Sequence, residues 1–210
     1  MRARGIRSFH GWCPHAPDGR PVVALGNGVI SRTQVDRLGD RLRDGAASQD
    51  DIRLLDEFRL EFAPRYQWLA AELRSVLSID VVGRPAKSTT SIIEKLRRET
   101  IRLSQMQDVA GCRVVCRDLA EQDDLVRRVA DNIPNCEVVD RRKVPSYGYR
   151  AVHVLVTVEG RTVELQVRTA LQHHWAQVSE LLADAFGQEL KYGLGDSRFL
   201  LYLQIGRAHV

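Results

Sequence analysis

The chain has 210 residues, 44% of them hydrophobic, enough to bury a core of its own, so one main domain with an extension is expected. No apolar run approaches a membrane span and no basic-then-apolar segment opens the chain, so a cytoplasmic protein is expected. The net charge of +4, with an isoelectric point of about 9.0, suits an anionic partner without by itself marking a nucleic-acid binder.

Residues 1–30 are rich in Gly, Pro and Arg without sustained periodicity and read as an irregular, partly mobile segment. Residues 31–80 read as a helical extension, with helices over Ser31–Arg43 and Asp50–Leu77. In the second, Leu54, Leu55, Phe58, Phe62, Leu69 and Leu73 recur at helical intervals, interrupted near Pro64, while Tyr66 and Trp68 pack the helix. A further helix is expected from Ser88 to Ser104. Its Ile92, Leu96 and Leu103 point inward and Lys95, Arg98 and Arg102 share a basic face.

A short, largely buried strand begins near Gly111, with Cys112 and Cys116 on one face and Asp108 just before it, where a carboxylate can point into a cleft. A helix over Glu121–Asp131 leads to a strand at Glu137–Asp140. Pro145 and Gly148 mark a loop, and a strand runs on from about Arg150. Extended from Tyr149, it sets Tyr149, Ala151, His153 and Leu155 on one face and Arg150, Val152, Val154 and Val156 on the other. A hairpin turn at Glu159-Gly160 opens the last strand, where Val163, Leu165 and Val167 alternate with Glu164, Gln166 and Arg168. A carboxylate, an amide and a guanidinium thus share one strand face, a good wall for a phosphate-and-metal site. The order strand, helix, strand, loop, strand, strand, helix implies an α/β (α+β) unit, a mixed sheet flanked by helices.

Of the four cysteines, Cys13, Cys112, Cys116 and Cys136, none has zinc-site spacing, and they read as reduced structural thiols. His173 and His174 are adjacent, so on a helix they diverge and read as surface or packing residues; Trp175 reads as core. The closing run IGRAHV, Ile205–Val210, is what ATC GGA AGA GCA CAC GTC encodes, a stretch of a common sequencing adapter. Residues 194–210 are therefore expected to be a truncated tail, with 205–210 non-native; resequencing across the end of the locus checks this.

DVAGCRVV (Asp108–Val115), PSYGYRAVH (Pro145–His153) and VELQVRT (Val163–Thr169), in that order, resemble the synthetase domain of the RelA/SpoT family. The likeness extends upstream to GRPAKSTTSIIEKLRRE (Gly83–Glu99) and downstream to LQHHWAQVSE (Leu171–Glu180), so it spans about Val82 to Gly193, and residues 81–193 are taken as the domain. The resemblance implies a nucleotidyltransferase-like fold and a stand-alone synthetase that moves pyrophosphate from ATP to the ribose 3′-hydroxyl of GDP or GTP, making the alarmones (p)ppGpp. The family's bifunctional members carry a hydrolase with a His-Asp motif; no His-Asp dipeptide occurs here, so a hydrolase half is expected to be absent.

The resemblance also implies roles. Asp108 and Glu164 would hold Mg2+, and Glu164 would orient or deprotonate the attacking hydroxyl. Arg84, Lys87, Ser91, Lys95 and Arg98 would bind ATP, Arg84 by phosphate contact or by stacking on adenine. Lys143, Tyr149, Arg150, His153, Gln166 and Arg168 would serve the acceptor. In that set Tyr149 stacks on guanine, His153 lies near acceptor phosphates or ribose, and Gln166 and Arg168 support the Glu164 strand.

Two departures bear on the acceptor: Tyr147 stands where characterised relatives tend to have Asn, and Asp140-Arg141-Arg142-Lys143 replaces a Lys-Asp-Tyr-Ile-like segment. A toxin-like relative that pyrophosphorylates tRNA 3′ ends or adenine nucleotides is therefore the first alternative, with Arg141, Arg142 and Lys143 holding the acceptor stem. An inactive nucleotide-binding sensor is the second. Oligomers through the final helices are a further expectation of the family.

Overall fold

A computed structural model describes residues 30–84 and 86–207, the side chains of Arg84 and of residues 204–207 excepted. The irregular segment expected over 1–30, Cys13 included, falls outside the described residues but for Ile30. Helix α1 (Arg32–Asp44) opens on a Ser31/Gln34 capping box, which satisfies backbone donors at its first turn. The stretch expected as one interrupted helix over Asp50–Leu77 is two helices, α2 (Gln49–Leu60) and α3 (Phe62–Leu77). The break falls at Glu61 because Pro64 has no N–H to give the carbonyl four residues back, that of Leu60. Leu55, Phe58, Phe62, Leu69 and Leu73 are buried, as their spacing predicts.

The helix expected over Ser88–Ser104 is shorter: α4 is Thr89–Arg98. Its end is fixed by a tertiary contact, since Arg43 of α1 donates to the carbonyl of Leu96 at 2.8 Å and to that of Ile101. Arg102 therefore leaves the basic face it was expected to share with Lys95 and Arg98. It precedes a 3-10 turn (Leu103–Gln105) and lies 3.8 Å from Asp36.

A five-stranded sheet follows: β1 (Val82–Arg84), β2 (Ala110–Cys116), β3 (Cys136–Asp140), β4 (Val152–Val158) and β5 (Arg161–Thr169), in the order β1-β2-β5-β4-β3. β2 and β5 run parallel and the other neighbours antiparallel. β1 has three residues, too few for alternation to reveal it. Helix α5 (Leu119–Asn132) joins β2 to β3, and α6 (Ala170–Phe186) continues directly from β5. After a 3-10 segment (Gln188–Tyr192) comes α7 (Ser197–Arg207). No helix among the described residues is long and apolar enough to cross a membrane.

Register decides the two faces of the sheet. Cys112, Val152, Val154, Val163, Leu165 and Val167 are buried on one face, against α3 and α5. The opposite face carries Gly111 and Arg113 beside Glu164 and Gln166, which pair in turn with Leu155 and His153. Burial raises the Cys112 thiol to about 12 and that of Cys116 to about 11, so both remain protonated structural thiols.

The β4–β5 turn falls at Glu159-Gly160 as expected, with φ of 46° and 74°, the positive values a two-residue type I′ turn needs. Arg65 of α3, 1% exposed, holds this turn: it donates to the carbonyls of Val158 (3.1 Å), Glu159 (3.4 Å) and Glu61. Arg65→Met should lower stability by roughly 2–3 kcal/mol, because the apolar side chain removes the buried charged donor that these carbonyls share. A urea denaturation midpoint equal to that of the unaltered chain would remove Arg65 from this role.

Candidate active site

Asp108 stands two residues before β2, and its carboxylate meets two ammonium groups. Lys87 Nζ donates to Oδ2 at 2.9 Å and Lys95 Nζ to Oδ1 at 2.8 Å. Lys87 comes from the segment after β1, whose backbone is pinned by a bond from Arg59 Nε to the Lys87 carbonyl at 2.7 Å. Burial pushes the Asp108 carboxyl up, but Lys95 and Lys87 outweigh it and hold it down at about 2.

Glu164 lies on the open face of β5, 6% exposed, with both oxygens engaged. His153 Nδ1 lies 2.7 Å from Oε1, and Gln166 Nε2 donates to Oε2 at 2.6 Å. Gln166 Oε1 accepts from Arg168 at 2.7 Å, Arg168 also donates to the Tyr149 hydroxyl at 2.8 Å, and that hydroxyl lies 2.9 Å from His153 Nε2. The five side chains close a ring of hydrogen bonds. In neutral His153, Nδ1–H donates to the carboxylate, so Nε2 accepts from Tyr149, whose oxygen accepts from Arg168. Burial raises Tyr149 against the pull of Arg168, keeping the hydroxyl proton in place. Glu164 is pushed up by burial but held below the usual carboxylate value by His153 and Gln166, so it is an ionised acceptor at neutral pH.

Both carboxylates line one cavity of about 850 Å³, together with Lys87, Tyr149, Gln166 and Arg168. That volume lies within the range of small-molecule sites. α6 and the 3-10 segment after it supply the opposing wall, including Trp175, Lys191 and Tyr192. The donor set suits a hard cation such as magnesium, because it offers carboxylate oxygens beside space for phosphate oxygens. Among the described residues no group of three His, Cys, Asp or Glu could hold a metal alone, so bound phosphates and waters would complete the shell.

Other expected site residues lie around this centre. Arg98 of α4 stacks its guanidinium 4.4 Å from the centre of the Tyr192 ring. Ser91 sits in the first turn of α4, its Oγ accepting from the Ser88 hydroxyl at 2.8 Å. Lys143 is exposed and Arg150 half-buried, and neither lines the cavity. Arg84 has its backbone in β1, and its side chain is outside the described set.

Arg113 lines the cavity and was not anticipated; it faces inward because its β2 position is paired with Gln166, and its alternation with Cys112 was the available signal. Trp175, expected in the core, is half-buried at the wall and donates to the Leu203 carbonyl at 3.1 Å. Arg142 is tied to Asp140 (2.9 Å), Asp123 (2.7 Å) and Gln122 (3.1 Å), which locks the loop after β3 onto α5.

The family model described as "Region found in RelA / SpoT proteins" matches residues 83–182. The chain is 38% identical over 194 residues to the uncharacterised protein Rv1366 of Mycobacterium tuberculosis, covering 81% of this chain and 68% of that one. The same figures relate it to the uncharacterised protein Mb1401 of Mycobacterium bovis. Among solved structures, it is similar to small alarmone synthetase 1 of Bacillus subtilis, with a TM-score of 0.58 and 26% identity over 74% of this chain and 89% of that one. The structure of that synthetase bound to its product pppGpp is similar with a TM-score of 0.60, at 26% identity, over 75% and 91% of the two chains.

Proposed function

The chain belongs to the RelA/SpoT family, and on that premise we propose that it transfers pyrophosphate from ATP to the ribose 3′-hydroxyl of a guanine nucleotide. The observation that carries the reading is the placement of Asp108 and Glu164 in one cavity, the first among ammonium groups and the second in the Tyr149–His153–Arg168–Gln166 ring. Lys87 and Lys95 are positioned to neutralise the triphosphate, and Tyr149 presents an aromatic ring at the acceptor side. Glu164, ionised and within a fixed set of donors, accepts the proton of the attacking hydroxyl. The 3′-oxygen then bonds to the β-phosphorus, the bond from that phosphorus to the α,β-bridging oxygen breaks, and AMP leaves. Asp108 and Glu164 would hold magnesium, which when bound supplies charge neutralisation at the phosphates.

A tRNA acceptor is less well supported, because Arg142, one of the three basic residues it would use, is committed to Asp140 and Asp123. The deciding assay offers γ-³²P-labelled ATP and magnesium with GMP, GDP, GTP, ADP, ATP or bulk tRNA. Label on a guanine nucleotide is expected. Label on tRNA or an adenine nucleotide would replace the acceptor assigned here, and no transfer at all would overturn the enzyme.

A further inference from the structure

The loop that carries Tyr149 is built on an unfavourable residue. Tyr149 N–H donates to the Ser146 carbonyl at 2.9 Å, and the two residues between, Tyr147 and Gly148, have φ of 51° and 93°. This is a type I′ turn, whose first central position favours Asn, Asp or Gly because a larger side chain crowds its own backbone there. Beyond the turn's own hydrogen bond, contacts from elsewhere in the chain offset that cost. The Tyr147 ring lies against Gly193, where an added Cβ would come within 2.8 Å of Tyr147 Cδ1. It also meets Tyr192 edge to face, with ring centres 6.1 Å apart, and Tyr192 carries the Arg98 guanidinium on its own face. Core packing is not the reason for this arrangement, since Tyr147 is 52% exposed.

We propose that Tyr147 is a positioning residue, whose ring pins the turn to Gly193 and Tyr192 and thereby fixes Tyr149 for the acceptor nucleotide. The assignment rests on the nucleotide-transfer reading and deepens it. A turn held this way presents Tyr149 to the cavity from one direction, with its hydroxyl already in the ring around Glu164. Replacing Tyr147 with Asn makes the turn locally more comfortable and removes the pin. A purely structural role therefore predicts an unchanged or more stable protein with unchanged binding, whereas a positioning role predicts weaker acceptor binding without loss of stability.

The test is calorimetric titration of the full chain, with magnesium, against GTP and separately against a non-hydrolysable ATP analogue. Tyr147→Asn should weaken GTP by about tenfold while the ATP analogue changes by less than about twofold, with Tm equal or higher. Tyr147→Phe, which keeps the ring, should restore GTP binding. Equal GTP affinity in Tyr147→Asn and the unaltered chain would overturn the assignment, as would equal weakening of both nucleotides. If the unaltered chain binds no guanine nucleotide, the assignment falls together with the reading beneath it.

Discussion

Glu164→Gln should reduce pyrophosphate transfer by at least about a hundredfold, and by as much as about ten-thousandfold, the range a positioned general base contributes. The substitution keeps the size of the side chain but turns an amide N–H toward one of its two donors, His153 Nδ1 or Gln166 Nε2, so stability should fall by about 1–3 kcal/mol while the fold is kept. In the unaltered chain the acid limb of the pH–rate profile for transfer should lie below the usual carboxylate range, because His153 and Gln166 outweigh burial and depress Glu164. Transfer by Glu164→Gln at a rate near that of the unaltered chain would remove Glu164 from the chemistry.

Asp108→Asn should be nearly as severe for activity, by about a hundredfold or more, since a fixed charge that organises the polyanion is lost. It should also cost stability, about 2 kcal/mol at pH 7, because an amide leaves no anion between the Lys87 and Lys95 ammonium groups, with only Glu99, 3.9 Å from Lys95, remaining. The dependence on pH follows from the direction of the shift. The folded carboxyl lies at about 2, below its ordinary value of 3.8, so its contribution is whole above about pH 4 and is lost as pH falls through about 2. Urea midpoints of the two proteins should differ at pH 7 and converge toward pH 2; midpoints already equal at pH 7 would show that the charge cluster does not support the fold.

The sequence carried much of this site because strand chemistry is written at single-residue period. Glu164, Gln166 and Arg168 could be placed on one face from order alone, and the turn at Glu159-Gly160 sets His153 opposite Gln166. Other features depend on contacts between distant segments. Nothing local in Thr100 to Ser104 ends a helix; Arg43 from α1 does. The parallel register of β2 with β5, which sets Gly111 beside Glu164, has no turn to reveal it. The wall formed by Trp175, Lys191 and Tyr192 likewise depends on how α6 and the 3-10 segment pack, whereas Arg113 was legible in its alternation with Cys112.

The parallel pairing of β2 and β5 also governs the order in which the molecule can be made. These strands are sheet neighbours, yet α5, β3 and β4 all lie between them along the chain. β5 can form its hairpin with β4 early, through a two-residue turn, whereas its contact with β2 requires the whole intervening segment to be ordered. Asp108 and Glu164 sit on opposite sides of that late seam. The proposed catalytic pair therefore has no existence in a half-folded chain: before the seam closes the two carboxylates share no cavity, and any ligand that bridges the seam stabilises the fold as a whole.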